Sequence, residues 1–155
     1  MELLSQILPP ENVLLDIAVT SKKRALEQIA LLFENNQGLE RASVFDSLFA
    51  RERLGSTGLG HGVAVPHGRI KKIERPWAAF ARLAQPVAFD APDGKPVDIL
   101  VVIVVPEEAT QQHLDILAEV AQRLSDEQAV DLLRREKDAS KIHKLLTARS
   151  EPATN

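Results

Sequence analysis

Two histidines, His61 and His67, share one fourteen-residue stretch, Gly55-Ser-Thr-Gly-Leu-Gly-His-Gly-Val-Ala-Val-Pro-His-Gly68. Five of the chain's seven glycines fall in it. A helix interior is excluded, since each glycine costs about 1 kcal/mol there relative to alanine. The composition predicts a loop that turns sharply or lies close to something else. Val63, Ala64 and Val65 form a short apolar run, Pro66 stops it, and His67 follows with Gly68 behind. Proline fixes φ and glycine leaves one side unobstructed, so the imidazole between them is aimed and accessible. An imidazole ordinarily titrates near about 6.5, so at neutral pH one ring nitrogen is largely free. That nitrogen can attack phosphorus and form a phosphoramidate that passes the group on. The competing reading is a histidine that fills a turn. From local context alone the two stand level.

Two further residues have the chemistry to assist. Arg51 falls near the end of an expected helix, just ahead of the glycine stretch. Its planar fork of donors suits a phosphoryl group and offsets charge gathering during transfer. Within Arg51-Glu52-Arg53, a solvated charge is the plainer reading. His113 follows a buried apolar strand and is expected in the first turn of the next helix, where free N–H groups and positive potential favour an anion. Taken alone, a histidine there is more often a surface helix residue. Glycines 55, 58, 60 and 62 can aim N–H groups at phosphoryl oxygens or only shape the loop. Ser56 and Thr57 are further candidate donors. His61 has no assigned role. Arg69, Lys71, Lys72 and Arg75 read as a solvated basic face that could guide an acidic partner, and Trp77 as packing.

The elements that must position these groups follow from periodicity and punctuation. Asn12 to Ile17 reads as a strand after a turn at Pro9-Pro10. Thr20 or Ser21 caps a helix to about Asn35, with Ala25, Leu26, Ile29, Ala30, Leu32 and Phe33 inward and Gly38 beyond its end. A second helix is expected from Glu40 to Arg53. Ala78 to Ala84 and Val87 to Phe89 read as two strands divided by Gln85-Pro86. Val97 to Val105 is apolar except for Asp98, which predicts a central strand covered on both faces. Thr110 is expected to cap a helix through Leu124. Ser125 with Gln128 matches a capping box for a helix to about Arg135, and Asp138 caps the last helix. The order predicts an α/β sandwich with a mixed central sheet flanked by helices, one domain over residues 1–149 and a disordered tail over 150–155.

Composition narrows the classes. At 155 residues the chain suits one domain. A net charge of −3 gives no global field for nucleic acid. With no cysteine, disulfides, thiolate metal sites and cysteine catalysis are out. Neither a signal peptide nor a run of about 20 apolar residues is seen, so no membrane insertion and a cytoplasmic location are expected. A zinc hydrolase using His61, His67 and His113 competes, but no His-Glu-x-x-His spacing occurs. Gly58-x-Gly60 follows an expected helix rather than a strand, which argues against a dinucleotide fingerprint.

Several segments, in order along the chain, resemble the IIA proteins of the bacterial phosphotransferase system, mannitol/fructose superfamily, and within it the nitrogen-regulatory branch. They are Ser21-Lys-Lys-Arg-Ala-Leu-Glu27, Arg51-Glu-Arg-Leu-Gly-Ser-Thr-Gly58, Gly62-Val-Ala-Val-Pro-His-Gly68, Ala88-Phe-Asp90, Pro96-Val-Asp98 and His113-Leu114. The resemblance implies that His67 is the phospho-accepting histidine, that His113 stabilises the phosphoryl group without carrying it, and that Arg51 rather than Arg53 stabilises its charge. It implies an HPr-like phosphocarrier as donor, no cofactor and no metal. The implied output is phosphorylation-dependent binding to regulatory targets, potassium-transport and sensor-kinase proteins among them, rather than multi-turnover catalysis. A sugar-specific fructose or mannitol IIA component passing phosphate to a IIB protein is the alternative within the family.

Overall fold

The computed structural model describes residues 1–148, the side chains of 112–114 excepted. The expected tail and residue 149 lie outside the described residues. A short helix, α1 (Glu2–Ser5), and a 3-10 turn over Pro10–Asn12 lead into β1 (Val13–Ile17). Two helices follow, α2 (Lys22–Gln37) and α3 (Arg41–Leu54), then the short strands β2 (Gly58–Gly60), β3 (Val63–Ala64) and β4 (His67–Ile70). Two long strands, β5 (Trp77–Val87) and β6 (Val97–Pro106), precede α4 (Gln111–Leu124), α5 (Glu127–Arg135) and α6 (Ala139–Thr147).

The apolar run Val97–Pro106 becomes the centre of the molecule because it can be buried on both sides. Its neighbours give a mixed sheet in the order β1-β5-β6-β3-β2, with β4 also on β6. β5 pairs β6 antiparallel, whereas β3 and β4 run parallel to it. Strand alternation divides β6 between two cores. Ile99, Val101, Ile103 and Val105 face α1, α4, α5 and α6 with Ile116, Val120, Leu133 and Ile142. Leu100, Val102 and Val104 face α2 and α3 with Leu26, Ile29, Phe33 and Leu48. The expected sandwich is the observed one.

Several boundaries moved for identifiable reasons. Ser21 caps α2 by accepting the Arg24 N–H at 3.1 Å, and Gly38 closes it at φ +70°. Pro86 does not divide two strands: β5 runs through it. Residues 84–86 are exposed beyond the last β1 pairing at Leu83, so no ladder donor is missed there. Asp126, not Ser125, caps α5, its carboxylate accepting the Gln128 N–H at 3.0 Å. Ser125 instead donates to Gln122 O and closes α4. The glycine stretch, expected as a loop, contains three strands, because its positive φ angles are confined to Gly55, Gly60, His61 and Gly62. The helix α1 was not foreseen.

Candidate functional site

β3 and β4 are one strand interrupted. Val63 pairs Ile99 and Ala64 pairs Leu100, while His67 pairs Ile103 and Gly68 pairs Val104, a constant offset of 36 positions (99 − 63 and 103 − 67). Register survives the interruption at Val65-Pro66. Pro66 has no N–H to give, but its carbonyl accepts from Ile103 N at 3.0 Å. The Val65 carbonyl serves the histidine instead: His67 Nδ1 lies 2.8 Å from it. A carbonyl only accepts, so Nδ1 carries the proton and Nε2 keeps its lone pair. The half-buried ring is thus oriented and held in one tautomer by its own chain.

Gly68 faces the other way, toward α3. A Cβ there would lie 2.3 Å from Ser47 Oγ, and that hydroxyl donates to Arg69 O at 2.8 Å. Glycine was expected to leave the histidine accessible; its observed effect is close approach of α3. Arg51 lies one turn beyond Ser47 on the same helix face. It donates from Nη1 to Gly55 O at 2.8 Å, which directs the guanidinium along the helix end. Arg51, His67, Gly68, Arg69, Ile103 and Leu117 all line one cleft of about 580 Å³. The structure therefore brings Arg51 and His67 together. His113 falls in the first turn of α4, four residues before Leu117 of the cleft wall; its side chain lies outside the described residues.

Residues that sequence reasoning passed over build this end of the molecule. Glu52 is buried, and its carboxylate accepts from both the N–H and the hydroxyl of Thr57, with Lys22 Nζ at 3.5 Å. It folds the turn whose Gly55 carbonyl holds Arg51. Its position beside Arg51 gave no signal in a charged triplet. Arg69 is exposed, as expected, yet tied down: Nη1 donates to Glu107 O at 2.9 Å and Ala109 O at 3.4 Å, fastening the entry to α4. Arg75 likewise donates to Gln6 O and lies over Trp77 at 4.3 Å. Ser56 and Thr57 do not serve as free donors, because their hydroxyls bond Phe89 O and Glu52. The N–H groups of Gly55 and Gly58 are also occupied, by Glu52 O and Ser56 Oγ.

His61 belongs elsewhere. Its backbone, at φ +56°, donates to Asp93 and accepts from Arg134 Nη2 at 2.8 Å, and its Nδ1 lies 3.0 Å from Glu127. The N–H groups of Lys95 and His61 hold the Asp93 carboxyl below the usual carboxylate range. His61 and Asp98 line a separate cleft at the start of β6, whereas His67 pairs Ile103 near its end. Five strand residues separate these points, about 16 Å. The proposed zinc set of His61, His67 and His113 therefore does not assemble.

A sheet-edge histidine of fixed tautomer that shares a cleft with an arginine makes a site suited to a transferable anion. Residues 6–149 match the family of phosphoenolpyruvate-dependent sugar phosphotransferase system EIIA 2 proteins, and the chain belongs to that family. It is similar to the nitrogen regulatory protein of Pseudomonas aeruginosa, 42% identical over 92% of this chain and 94% of that protein. The nitrogen regulatory protein of Bradyrhizobium diazoefficiens is 38% identical over 97% of each. Among solved structures, nitrogen regulatory protein IIA-Ntr from Neisseria meningitidis superposes with a TM-score of 0.89 at 45% identity, covering 94% of this chain and 100% of that one. IIA mannitol from Escherichia coli shares the fold, with a TM-score of 0.75 at 21% identity over 89% of this chain and 97% of that one. Among the described residues, no helix is long and apolar enough to cross a membrane.

Proposed function

We propose that the chain is a regulatory phosphocarrier of the nitrogen branch, acting in the cytoplasm, in which Nε2 of His67 accepts a phosphoryl group from a phosphohistidine on an HPr-like donor. The Nδ1–Val65 hydrogen bond is the observation that carries this reading, because it leaves Nε2 as the nucleophile. Nε2 forms the new N–P bond as the donor's N–P bond breaks, and the donor ring nitrogen leaves with the bonding pair. The proton stays on Nδ1 and is donated to the Val65 carbonyl, which steadies the cationic phosphoimidazole. Arg51 offsets charge on the phosphoryl oxygens, and His113 hydrogen-bonds the group without carrying it. The donor is already an activated phosphoramidate, so the step needs neither ATP nor a metal. Phosphorylation state then governs binding to regulatory targets such as potassium-transport or sensor-kinase proteins.

A second reading has one observation in its favour. The fructose-specific EIIA component of Haloferax volcanii is 34% identical over 80% of this chain and 81% of that protein. Onward transfer to a sugar-specific IIB protein is therefore the competing output. Incubation with the phosphorylated donor, followed by addition of a fructose-type IIB protein, separates the two. Labelling that stays on this chain supports the regulatory reading, rapid transfer to IIB supports the alternative, and no labelling at all overturns both.

A further inference from the structure

A second hollow, shallow and open, lies on the helical face away from His67, where the end of α4, the end of α5 and α6 border about 720 Å³. Its apolar part is Leu132, Leu145 and Ala148; the two leucines are 48% and 38% exposed and, with Leu54 and Leu59, are the exposed large hydrophobic side chains among the described residues. Arg123, Arg135, Lys141 and Lys144 surround them. On α6, Lys141, Lys144 and Leu145 follow i, i+3, i+4 spacing and share an outward stripe, while Ile142 and Leu146 point into the core.

None of these four cations pairs with a carboxylate among the described residues. Glu136, the one acid among the described residues lining the hollow, accepts through Oε2 the N–H groups of Lys137 at 2.8 Å and Asp138 at 3.1 Å. The whole chain carries a net charge of −3, so four cations against one carboxylate around two leucines are a local arrangement rather than a result of composition.

We propose that this hollow docks an acidic segment of a partner protein carrying one or two apolar anchors, laid between α5 and α6 as a helix in a groove. The leucines accept the anchors and the four cations meet its carboxylates. The chain's net charge of −3 opposes an extended anionic surface such as a bilayer, whereas a short acidic segment meets only the local cations. Arg123 stands ten residues beyond His113 on α4, about 15 Å along the axis. A segment seated here leaves the His67 cleft open and binds equally in either phosphorylation state. The proposal does not depend on the phosphocarrier reading.

The test uses the full chain and a fluorescein-labelled synthetic helical peptide with leucines on one face and glutamates elsewhere. Fluorescence anisotropy is compared for this peptide, for its lysine-for-glutamate counterpart and for phosphatidylglycerol vesicles. Only the acidic peptide is expected to bind, more weakly as salt rises. Leu145→Glu, and separately the pair Lys141→Glu with Lys144→Glu, should weaken it on the order of tenfold. Circular dichroism should remain unchanged, because these side chains are exposed, and His67→Ala should bind like the parent. Four results would overturn the proposal: no binding of the acidic peptide at millimolar concentration, equal binding of the lysine peptide, indifference to both sets of substitutions, or preference for vesicles over the peptide.

Discussion

Gly68 and Ser47 are in contact that only glycine permits: a Cβ at 68 would stand 2.3 Å from the serine hydroxyl and 3.1 Å from its Cβ. This contact seats α3 on β4. It also sets how far the Arg51 guanidinium, one helical turn along, stands from the histidine cleft. Gly68→Ala should force α3 outward and destabilise the fold by about 1–3 kcal/mol, the usual cost of overpacking. Urea unfolding measures the loss, and phosphoryl acceptance should slow even where the variant is fully folded. Parental stability would show that α3 yields without cost.

Arg51→Lys keeps the charge and removes the planar fork, together with the Nη1 bond to Gly55 O. Acceptance of the phosphoryl group should slow by about 10- to 100-fold, while the melting temperature changes little. Parental rate and parental melting temperature together would make Arg51 a surface charge with no role in transfer.

His113 is assigned a hydrogen bond rather than a covalent role. His113→Ala should still become phosphorylated at His67, but about 10- to 10⁴-fold more slowly or with a shorter-lived product. His113→Gln should recover part of that loss if donation is what matters. Single-turnover rates and hydrolysis half-lives decide it. Full activity in His113→Ala would remove this residue from the mechanism.

Acid stability should depend on Asp16. The Arg82 guanidinium, hydrogen-bonded at 3.0 Å and itself buried, holds this carboxyl below the usual carboxylate range. A carboxyl whose pKa is lower folded than unfolded contributes stability above its unfolded value, about 3.9, and loses that contribution as pH falls through the folded value. Asp16→Asn should therefore cost about 1 kcal/mol at neutral pH, limited by the carboxylate's exposure, and nothing below the folded pKa. Urea midpoints across pH 2–7 should converge at the acid end; a constant gap would contradict this linkage.

How much of this was legible follows from how local each signal is. The apolar run of β6, the Ser21 cap and Gly38 stop of α2, and the placing of His67 between proline and glycine are local, and each appeared where expected. Glu52 was invisible because Lys22 meets it only through tertiary contact and the turn that folds Thr57 back onto it carries no separate sequence signal. Arg69 looked like one charge in a basic run, and its role depends on the carbonyls of Glu107 and Ala109, far along the chain. The glycine stretch misled in a different way. Its composition forbids helix and suggests a loop, yet pairing of β3 and β4 with β6, and of β2 with β3, draws three short pieces of it into the sheet. Ser125 illustrates the ordinary limit: the capping pattern was present, but α4 used the serine and the cap fell to Asp126 one residue later.

Nε2 of His67 is the proposed acceptor, and locating the phosphoryl group tests that assignment directly. The chain, phosphorylated by an HPr-like donor, is observed by two-dimensional ¹⁵N–³¹P-correlated NMR on histidine-labelled protein, with His67→Ala measured in parallel. One acid-labile phosphoryl group should appear, coupled to Nε2 of His67, with Nδ1 still protonated and no signal from His67→Ala. Coupling to Nδ1 of His67, or a label on His61, His113 or His143 that persists in His67→Ala, would contradict it.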